Sequence, residues 1–216
     1  MGAFLNYQMQ LTDKIQITNE DNMALMSRYE DNYFDLAIID PPYGINVKTR
    51  VFNDGKQWDN EIPHKEYFDE LFRVSKNQII WGGNYFLDFL KKTSSMLVWD
   101  KLNTDKGGKW TCEIAWTSFD KNSYIIKAER PGEHGFYVVD CKRIHPTQKP
   151  ISLYEFCLMT YAKENDKILD THLGSGSIAI ASHNLGYELT ACELDKEYYD
   201  ASIKRIKDHI SQQRLF

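Results

Sequence analysis

The sequence predicts an α/β fold in which helices cover a mostly parallel sheet. Short apolar runs alternate with longer segments whose apolar residues recur every three or four positions. The run FDLAIID (34–40) has four consecutive apolar residues at 36–39, which is typical of a strand that is buried on both faces. Because strands that alternate with helices favour crossover connections, we expect one layered domain over residues 1–216.

The individual elements follow from run length, spacing and the turn residues between runs. Seven short apolar runs are predicted as strands, at residues 14–18, 34–40, 77–83, 96–100, 113–119, 167–170 and 188–193. Segments with helical spacing lie at residues 22–30, 64–75, 84–92, 151–162, 177–186 and 196–210. Proline or glycine follows several of these runs, and Gly186 is expected to end the helix over 177–186.

The composition of the 216 residues is that of a packed domain, with 42% hydrophobic and 26% charged residues. No apolar run approaches the length of about 18 residues that indicates a membrane span, and the N-terminus has no signal-peptide pattern. The four cysteines lie far apart without a C-x-x-C pair, which favours free thiols and gives no sign of a metal site. We therefore expect a protein of the reducing cytoplasm that has no membrane partner.

The charge distribution distinguishes one part of the chain. The net charge of −5 argues against a general nucleic-acid-binding protein. Residues 101–149, however, hold 9 Lys and Arg against 6 Asp and Glu, whereas the parts on either side are both net negative. The middle of the chain is thus the part that could attract a polyanion.

A glycine-rich turn follows the predicted strand at 167–170. The turn reads DTHLGSGS (170–177) and opens a helix, so its backbone N–H groups can approach a ligand. Glu193 ends the next strand, where a carboxylate can accept hydrogen bonds from both hydroxyls of a ribose. The spacing G-x-G-x-x-A at 174–179 also satisfies the dinucleotide fingerprint, so an NAD-dependent oxidoreductase stays an alternative.

A second motif, Asp40-Pro41-Pro42-Tyr43, stands at the end of the run at 34–40. Prolines cannot continue a central strand, and they leave carbonyl groups with no N–H beside them. The motif therefore brings a carboxylate, a stiff carbonyl group and an aromatic ring to the sheet edge where α/β enzymes bind ligands. This combination of residue types indicates a catalytic site rather than an ordinary turn.

Together the two motifs resemble those of the S-adenosylmethionine-dependent amino-methyltransferases of DNA. The acidic motif precedes the glycines by about 130 residues, as in the circularly permuted (beta) group of that family. The segment HPTQKP (145–150) resembles the group's remaining cofactor-side motif. The resemblance spans about residues 14–205 and implies a Rossmann-like sheet of seven strands with helices on both faces.

The resemblance also assigns a cofactor and the residues that would hold it. The cofactor is S-adenosyl-L-methionine, and no metal is expected. His172 stands where the family usually has an aromatic residue, so we expect it to line the pocket without reproducing that contact fully. The expected cofactor-binding residues are Asp21, Lys149, Asp170, His172, Gly174, Ser175, Gly176 and Glu193.

The implied reaction is methylation of the exocyclic N6 amino group of adenine in DNA. Asp40 and Pro41 would accept the two N–H bonds of that amine, and Tyr43 would stack on the base after it leaves the duplex. An acid at position 40 favours adenine in this family, and N4 of cytosine is the close alternative. A protein of the same fold that binds DNA without catalysis is a further alternative.

The resemblance further implies DNA as a partner, with a homodimer and a cognate restriction nuclease as further partners to test. Residues 119–145, where the group carries its target-recognition insertion, are short here, so we expect little sequence specificity from them. The residues expected to contact DNA are basic and stand in predicted loops or at strand ends. They are Lys48, Arg50, Lys101, Lys106, Lys109, Lys127 and Arg130.

Overall fold

The structure is a computed structural model that describes residues 8–46, 59–101, 111–127 and 143–213. Nine strands in this part of the chain form one mixed sheet. They are β1 (Gln8–Gln10), β2 (Ile15–Asn19), β3 (Phe34–Ile39), β4 (Ser75–Trp81), β5 (Met96–Asp100), β6 (Cys112–Thr117), β7 (Tyr124–Lys127), β8 (Lys167–Asp170) and β9 (Glu188–Glu193).

The sheet has the order β1-β2-β9-β8-β3-β4-β6-β5-β7. Its middle, from β2 through β9, β8 and β3 to β4, is parallel, whereas β6 runs antiparallel to β4 and β5. The five parallel strands therefore end at the same edge. Because β3 and β8 are neighbours, this edge brings together two motifs that are about 130 residues apart in sequence.

Helices cover both faces of the sheet and bury two separate apolar clusters. They are α1 (Asn22–Met26), α2 (Lys65–Val74), α3 (Ile151–Tyr161), α4 (Ser177–Leu185) and α5 (Lys196–Gln213). In β3, Leu36 and Ile38 pack with α3, α4 and α5, whereas Ala37 and Ile39 pack with α1 and α2. This two-sided burial explains why residues 36–39 are all apolar, and it confirms the predicted layered α/β class.

The structure corrects two sequence-based expectations. The sheet exceeds the expected seven strands because two short edge strands, β1 and β7, add to it. Residues 84–92 do not form the predicted helix: a 3-10 turn at Gly83–Tyr85 is followed by separate turns. So short a segment gains little from helical hydrogen bonds, and its apolar residues Phe86 and Phe89 reach the α1–α2 cluster without them.

Two further observations concern the described residues only. None of their helices is both long and apolar enough to cross a membrane. Their three cysteines, Cys112, Cys157 and Cys192, are free thiols, as predicted, and Cys141 lies outside the described residues.

Candidate active site

A cavity of about 1400 Å³ opens where the parallel strands end. Both predicted motifs contribute to its wall, because β3, β8 and β9 end side by side. Among the predicted site residues, those that line it are Asp21, Asp40, Pro41, Pro42, Tyr43, Lys101, Lys149, His172, Gly174, Ser175 and Glu193. A cavity of this size can hold a nucleoside cofactor and a second reactant together.

Asp40 follows β3 directly, and both of its carboxylate oxygens have partners. The Tyr43 hydroxyl donates to Oδ1 at 2.5 Å, and the Lys149 ammonium lies 2.5 Å from Oδ2. Burial raises the pKa of Asp40 above the usual carboxyl range; the charge of Glu113 adds to this and the charge of Lys149 opposes it. The carboxylate is thus held in a fixed orientation at the cavity wall.

The turn after Asp40 depends on Asp59, a buried residue that the sequence analysis did not select. Its Oδ1 accepts hydrogen bonds from the backbone N–H of Tyr43 at 2.7 Å and of Gly44 at 3.1 Å. These bonds hold the chain where the two prolines end the strand, and so they fix the direction in which Tyr43 leaves it.

The ring of Tyr43 packs against the end of β4. It stacks on Tyr85 with 5.0 Å between the ring centroids and 14° between the planes. Gly82 has a φ of +70°, and a Cβ there would lie 2.1 Å from Cε1 of Tyr43. Position 82 therefore needs glycine both for its backbone conformation and for the space that the aromatic ring occupies.

The glycine-rich turn forms the opposite wall. Gly174 has a φ of +53° and donates its N–H to Oε2 of Glu193 at 2.8 Å, and the other oxygen of Glu193 accepts the N–H of Asp195 at 2.9 Å. A Cβ on Gly174 would meet nothing nearer than the His145 ring at 3.7 Å. The backbone at Gly174 is thus open toward the cavity, with a carboxylate beside it.

Asp170 and Gly176, two predicted cofactor residues, are not among the described residues that line the cavity. Asp170 is 1% exposed and accepts the N–H of His172 at 2.9 Å, and burial raises its pKa to about 8. Gly176 precedes α4 with a φ of +75° and packs against Ile206. Both residues shape the turn from behind its surface.

His172 and Asp21 mark the end of the cavity nearest α1. Burial lowers the pKa of His172 to about 4, and its Nε2 lies 3.2 Å from Nδ2 of Asn22. Asp21 caps α1 by accepting the N–H of Met23 at 2.9 Å and of Ala24 at 3.2 Å. Asp21 is exposed, so it can also contact a ligand at the rim.

Comparisons with known proteins agree with this geometry. The family model of N6 and N4 methyltransferases, described as "DNA methylase", matches residues 91–204. The Type II methyltransferase M2.DpnII of Streptococcus pneumoniae is 38% identical over 90% of each chain, and M.HinfI of Haemophilus influenzae is 33% identical over 89% of this chain and 68% of its own. The chain belongs to the DNA methylase family.

Solved structures show the same fold. The cytosine-N4-specific PvuII DNA methyltransferase matches with a TM-score of 0.61 at 15% identity over 93% of each chain. The complex of M1.HpyAVI with SAM matches with a TM-score of 0.59 at 20% identity over 88% of this chain and 98% of its own. The DNA methylase thus has a Rossmann-like fold, transfers methyl groups to amino groups of DNA bases and uses S-adenosyl-L-methionine.

The residues of the glycine-side wall fit this methyl donor. The carboxylate of Glu193 is half-buried at the cavity and has oxygen atoms that can accept from ribose hydroxyls. Because Gly174 has no side chain, a bound ligand can approach its backbone. His172 and Asp21 line the adjacent wall of the cavity. Glu193, Gly174, His172 and Asp21 would therefore hold the nucleoside part of the cofactor.

Lys149 lines the cavity, and its ammonium group lies beside Asp40. It contacts Asp40, Glu113 and the hydroxyl of Tyr43, the last at 3.2 Å, and its expected contact with the cofactor stays a prediction. Its backbone carbonyl accepts from Ser177 at 2.7 Å, which fixes the segment before α3. Lys149 thus belongs to the wall that carries Asp40.

Sequence reasoning missed several residues of the site. Glu113 pairs with Lys149 and Lys101, and Tyr67 donates to or accepts from Thr171 at 2.6 Å beneath the glycine-rich turn. These contacts join elements that are far apart in sequence. The one signal in the sequence was that Glu113 is an acid in the otherwise uncharged run at 113–119, which was predicted as a strand.

The predicted DNA contacts are only partly within the described residues. Lys101 lines the cavity and pairs with Glu113, and Lys127 is exposed at the end of β7. The other five predicted contacts lie outside the described residues, and so does most of the predicted insertion at 119–145. They are Lys48, Arg50, Lys106, Lys109 and Arg130.

Proposed function

We propose that this DNA methylase methylates the N6 amino group of adenine in DNA. The observation that carries the proposal is the carboxylate of Asp40, which lies with Pro41 at the cavity wall where β3 ends. The family resemblance implies that an acid at this position favours adenine as the target, whereas a serine favours cytosine.

The proposed mechanism uses the two acceptors at the start of the motif. The amine of adenine is a weak nucleophile because its lone pair is delocalised into the ring. Asp40 and the Pro41 carbonyl would accept its two N–H bonds and direct the lone pair into the cavity. Holding two reactants in one geometry can lower the barrier by up to about 7–11 kcal/mol.

Asp40 also has a role after the new N–C bond forms. When bound, S-adenosyl-L-methionine supplies a methyl group on a positively charged sulfur. The amine nitrogen then carries an excess proton, which Asp40 can accept because it is hydrogen-bonded to that group. The target base would leave the duplex, which costs a few kcal/mol because the base unstacks from its neighbours. Tyr43 would then contact this base.

The test is the identity of the methylated base. Unmethylated DNA is incubated with the protein and isotopically methyl-labelled S-adenosyl-L-methionine, digested to nucleosides and analysed by mass spectrometry. We expect label in N6-methyladenine. Label in N4-methylcytosine would refute the adenine assignment while leaving the family assignment intact.

A second prediction concerns how the acidic protein holds DNA. The logarithm of the DNA-binding constant falls linearly with the logarithm of the salt concentration. Each phosphate contact that is lost should reduce the magnitude of this slope by about 0.9. We expect the double change Lys106→Ala with Lys109→Ala to lower that slope by up to about 2, about equally for all DNA sequences. The matched control replaces the exposed pair Lys204 and Lys207 of α5 by alanine.

Fluorescence anisotropy with labelled duplexes at several salt concentrations measures both variants. An unchanged slope for the Lys106 and Lys109 variant would assign the DNA surface elsewhere, with Lys48 and Arg50 as the next residues to replace. Calorimetry with S-adenosylhomocysteine should show unchanged affinity in both variants.

The remaining sequence-based expectations stay predictions. They are a homodimer, a cognate restriction nuclease and a cytoplasmic location. Light scattering after gel filtration tests the first, and a mass that corresponds to one chain would refute it.

A further inference from the structure

Four charged side chains form a chain of alternating sign at the wall that carries Asp40. Lys149 lies 2.5 Å from Asp40 and 2.9 Å from Glu113, and Glu113 also pairs with Lys101. The Lys149 side chain is 2% exposed, against 14% for Asp40 and 18% for Glu113. The four residues come from separate parts of the chain and meet only in the fold.

Three oxygen atoms surround the Lys149 ammonium group. It donates a hydrogen bond to the hydroxyl oxygen of Tyr43, whose own proton goes to Oδ1 of Asp40, and it forms ion pairs with Oδ2 of Asp40 and Oε2 of Glu113. Burial disfavours the charged form of Lys149, but the two carboxylates outweigh it and raise its pKa. The group is therefore a fixed positive charge.

We propose that Lys149 is a positioning residue for methyl transfer, which keeps Asp40 ionised and oriented, and that Glu113 limits how strongly it does so. The proposal rests on the proposed function, in which Asp40 accepts the amine of the target base. It assigns Lys149 to the catalytic wall and gives Glu113, a residue outside both motifs, a part in setting the acidity of the site.

The argument is electrostatic. A buried carboxylate without a partner takes up a proton, because burial disfavours its charged form. Lys149 counteracts this at Asp40, whereas Glu113 shares the same ammonium group and adds a negative charge nearby. Removing Lys149 should therefore make Asp40 less acidic, and removing the charge of Glu113 should make it more acidic.

Three other titratable groups face Asp40, and none of these three is a cation. The phenol of Tyr43 donates to it, Tyr154 lies buried nearby, and Asp170 is a neighbouring acid. Burial raises the pKa of both tyrosines well above the ordinary value, so they stay neutral. Lys149 is thus the cation in direct contact with Asp40 among the described residues.

The test compares pH profiles of single-turnover methyl transfer for two variants. The acid limb of the profile is the pH range in which the rate falls as the pH is lowered. In Lys149→Met this limb should move to higher pH by about 1–3 units, which is the usual effect of losing one close opposite charge. Glu113→Gln should move it downward. The matched controls, Lys204→Met and Glu70→Gln, remove other paired charges and should keep the wild-type limb.

A structural role alone would lower the rate without moving the limb in opposite directions. Unchanged acid limbs in both folded variants would overturn the proposal. A large loss of S-adenosylhomocysteine affinity in Lys149→Met with an unchanged acid limb would also overturn the proposal. That result would indicate that Lys149 binds the cofactor instead of positioning Asp40. If Lys149→Met does not fold, as judged by circular dichroism, Glu113→Gln decides alone.

The wild-type protein separates this proposal from the proposed function. If it labels cytosine instead of adenine, the base assignment fails, and the pH profiles still test Lys149 on the cytosine reaction. If it labels adenine and the limbs do not move, only the role of Lys149 and Glu113 fails.

Discussion

Replacing Asp40 by alanine is expected to abolish methyl transfer while leaving cofactor affinity within a few-fold of the wild type. The variant loses one of the two acceptors for the amine and the group that takes its proton. General acid–base groups contribute about 10²–10⁴-fold to rates, so we expect a loss of at least that size. We expect the cofactor to bind mainly at the other motif, where the N–H of Gly174 meets the carboxylate of Glu193.

Two further variants make the result specific. Asp40→Asn keeps the shape of the side chain and one acceptor oxygen but cannot accept the proton, so it should lose nearly as much activity. Asp35→Asn, on the other end of β3, breaks an ion pair with Lys76 away from the cavity and should keep activity. Single-turnover transfer to DNA and calorimetry with S-adenosylhomocysteine measure the two effects, and near-normal turnover in Asp40→Ala would contradict the mechanism.

The parts of the fold that could be predicted are those that repeat a local signal. The apolar residues 36–39 of β3 and the glycine-rich turn after β8 each indicate their structure within about ten residues. Their meeting at one edge follows from the parallel sheet alone. The positions of the acidic motif and of the glycine-rich turn could therefore be predicted from the sequence.

The contacts that complete the site could not be predicted, because they depend on tertiary packing. Gly82 looks like an ordinary strand end in sequence, yet the ring of Tyr43 occupies the space beside it. Asp59 gives no local signal for its bonds to the turn after Asp40. The apolar residues at 84–92 show helical spacing, but they reach the core from turns.

Individual positions within one motif lie at different depths from the cavity. Asp170 and Gly176 belong to the glycine-rich turn but lie behind its surface, where one accepts a backbone N–H and the other makes room for Ile206. A motif states which residues a turn needs, and only the fold separates those that face a ligand from those that support them.

Glu193→Ala is expected to weaken cofactor binding by roughly 10- to 150-fold. Hydrogen bonds to a charged group contribute about 1.5–3 kcal/mol, which corresponds to that range. In the structure the carboxylate accepts from the backbone N–H of Gly174 and of Asp195, so it also holds together the loops that would surround the ribose. The loss should therefore lie toward the upper end of the range.

A pair of controls separates the two roles of this carboxylate. Glu193→Gln keeps an acceptor oxygen for one backbone N–H but loses the charge, so its affinity should fall between those of Glu193→Ala and the wild type. Glu188→Ala changes an exposed glutamate at the far end of β9 and should bind as the wild type does. Calorimetry with S-adenosylhomocysteine gives all four affinities. Unchanged binding in Glu193→Ala would remove this residue from the site, because a carboxylate on the ribose cannot be lost without weakening the complex.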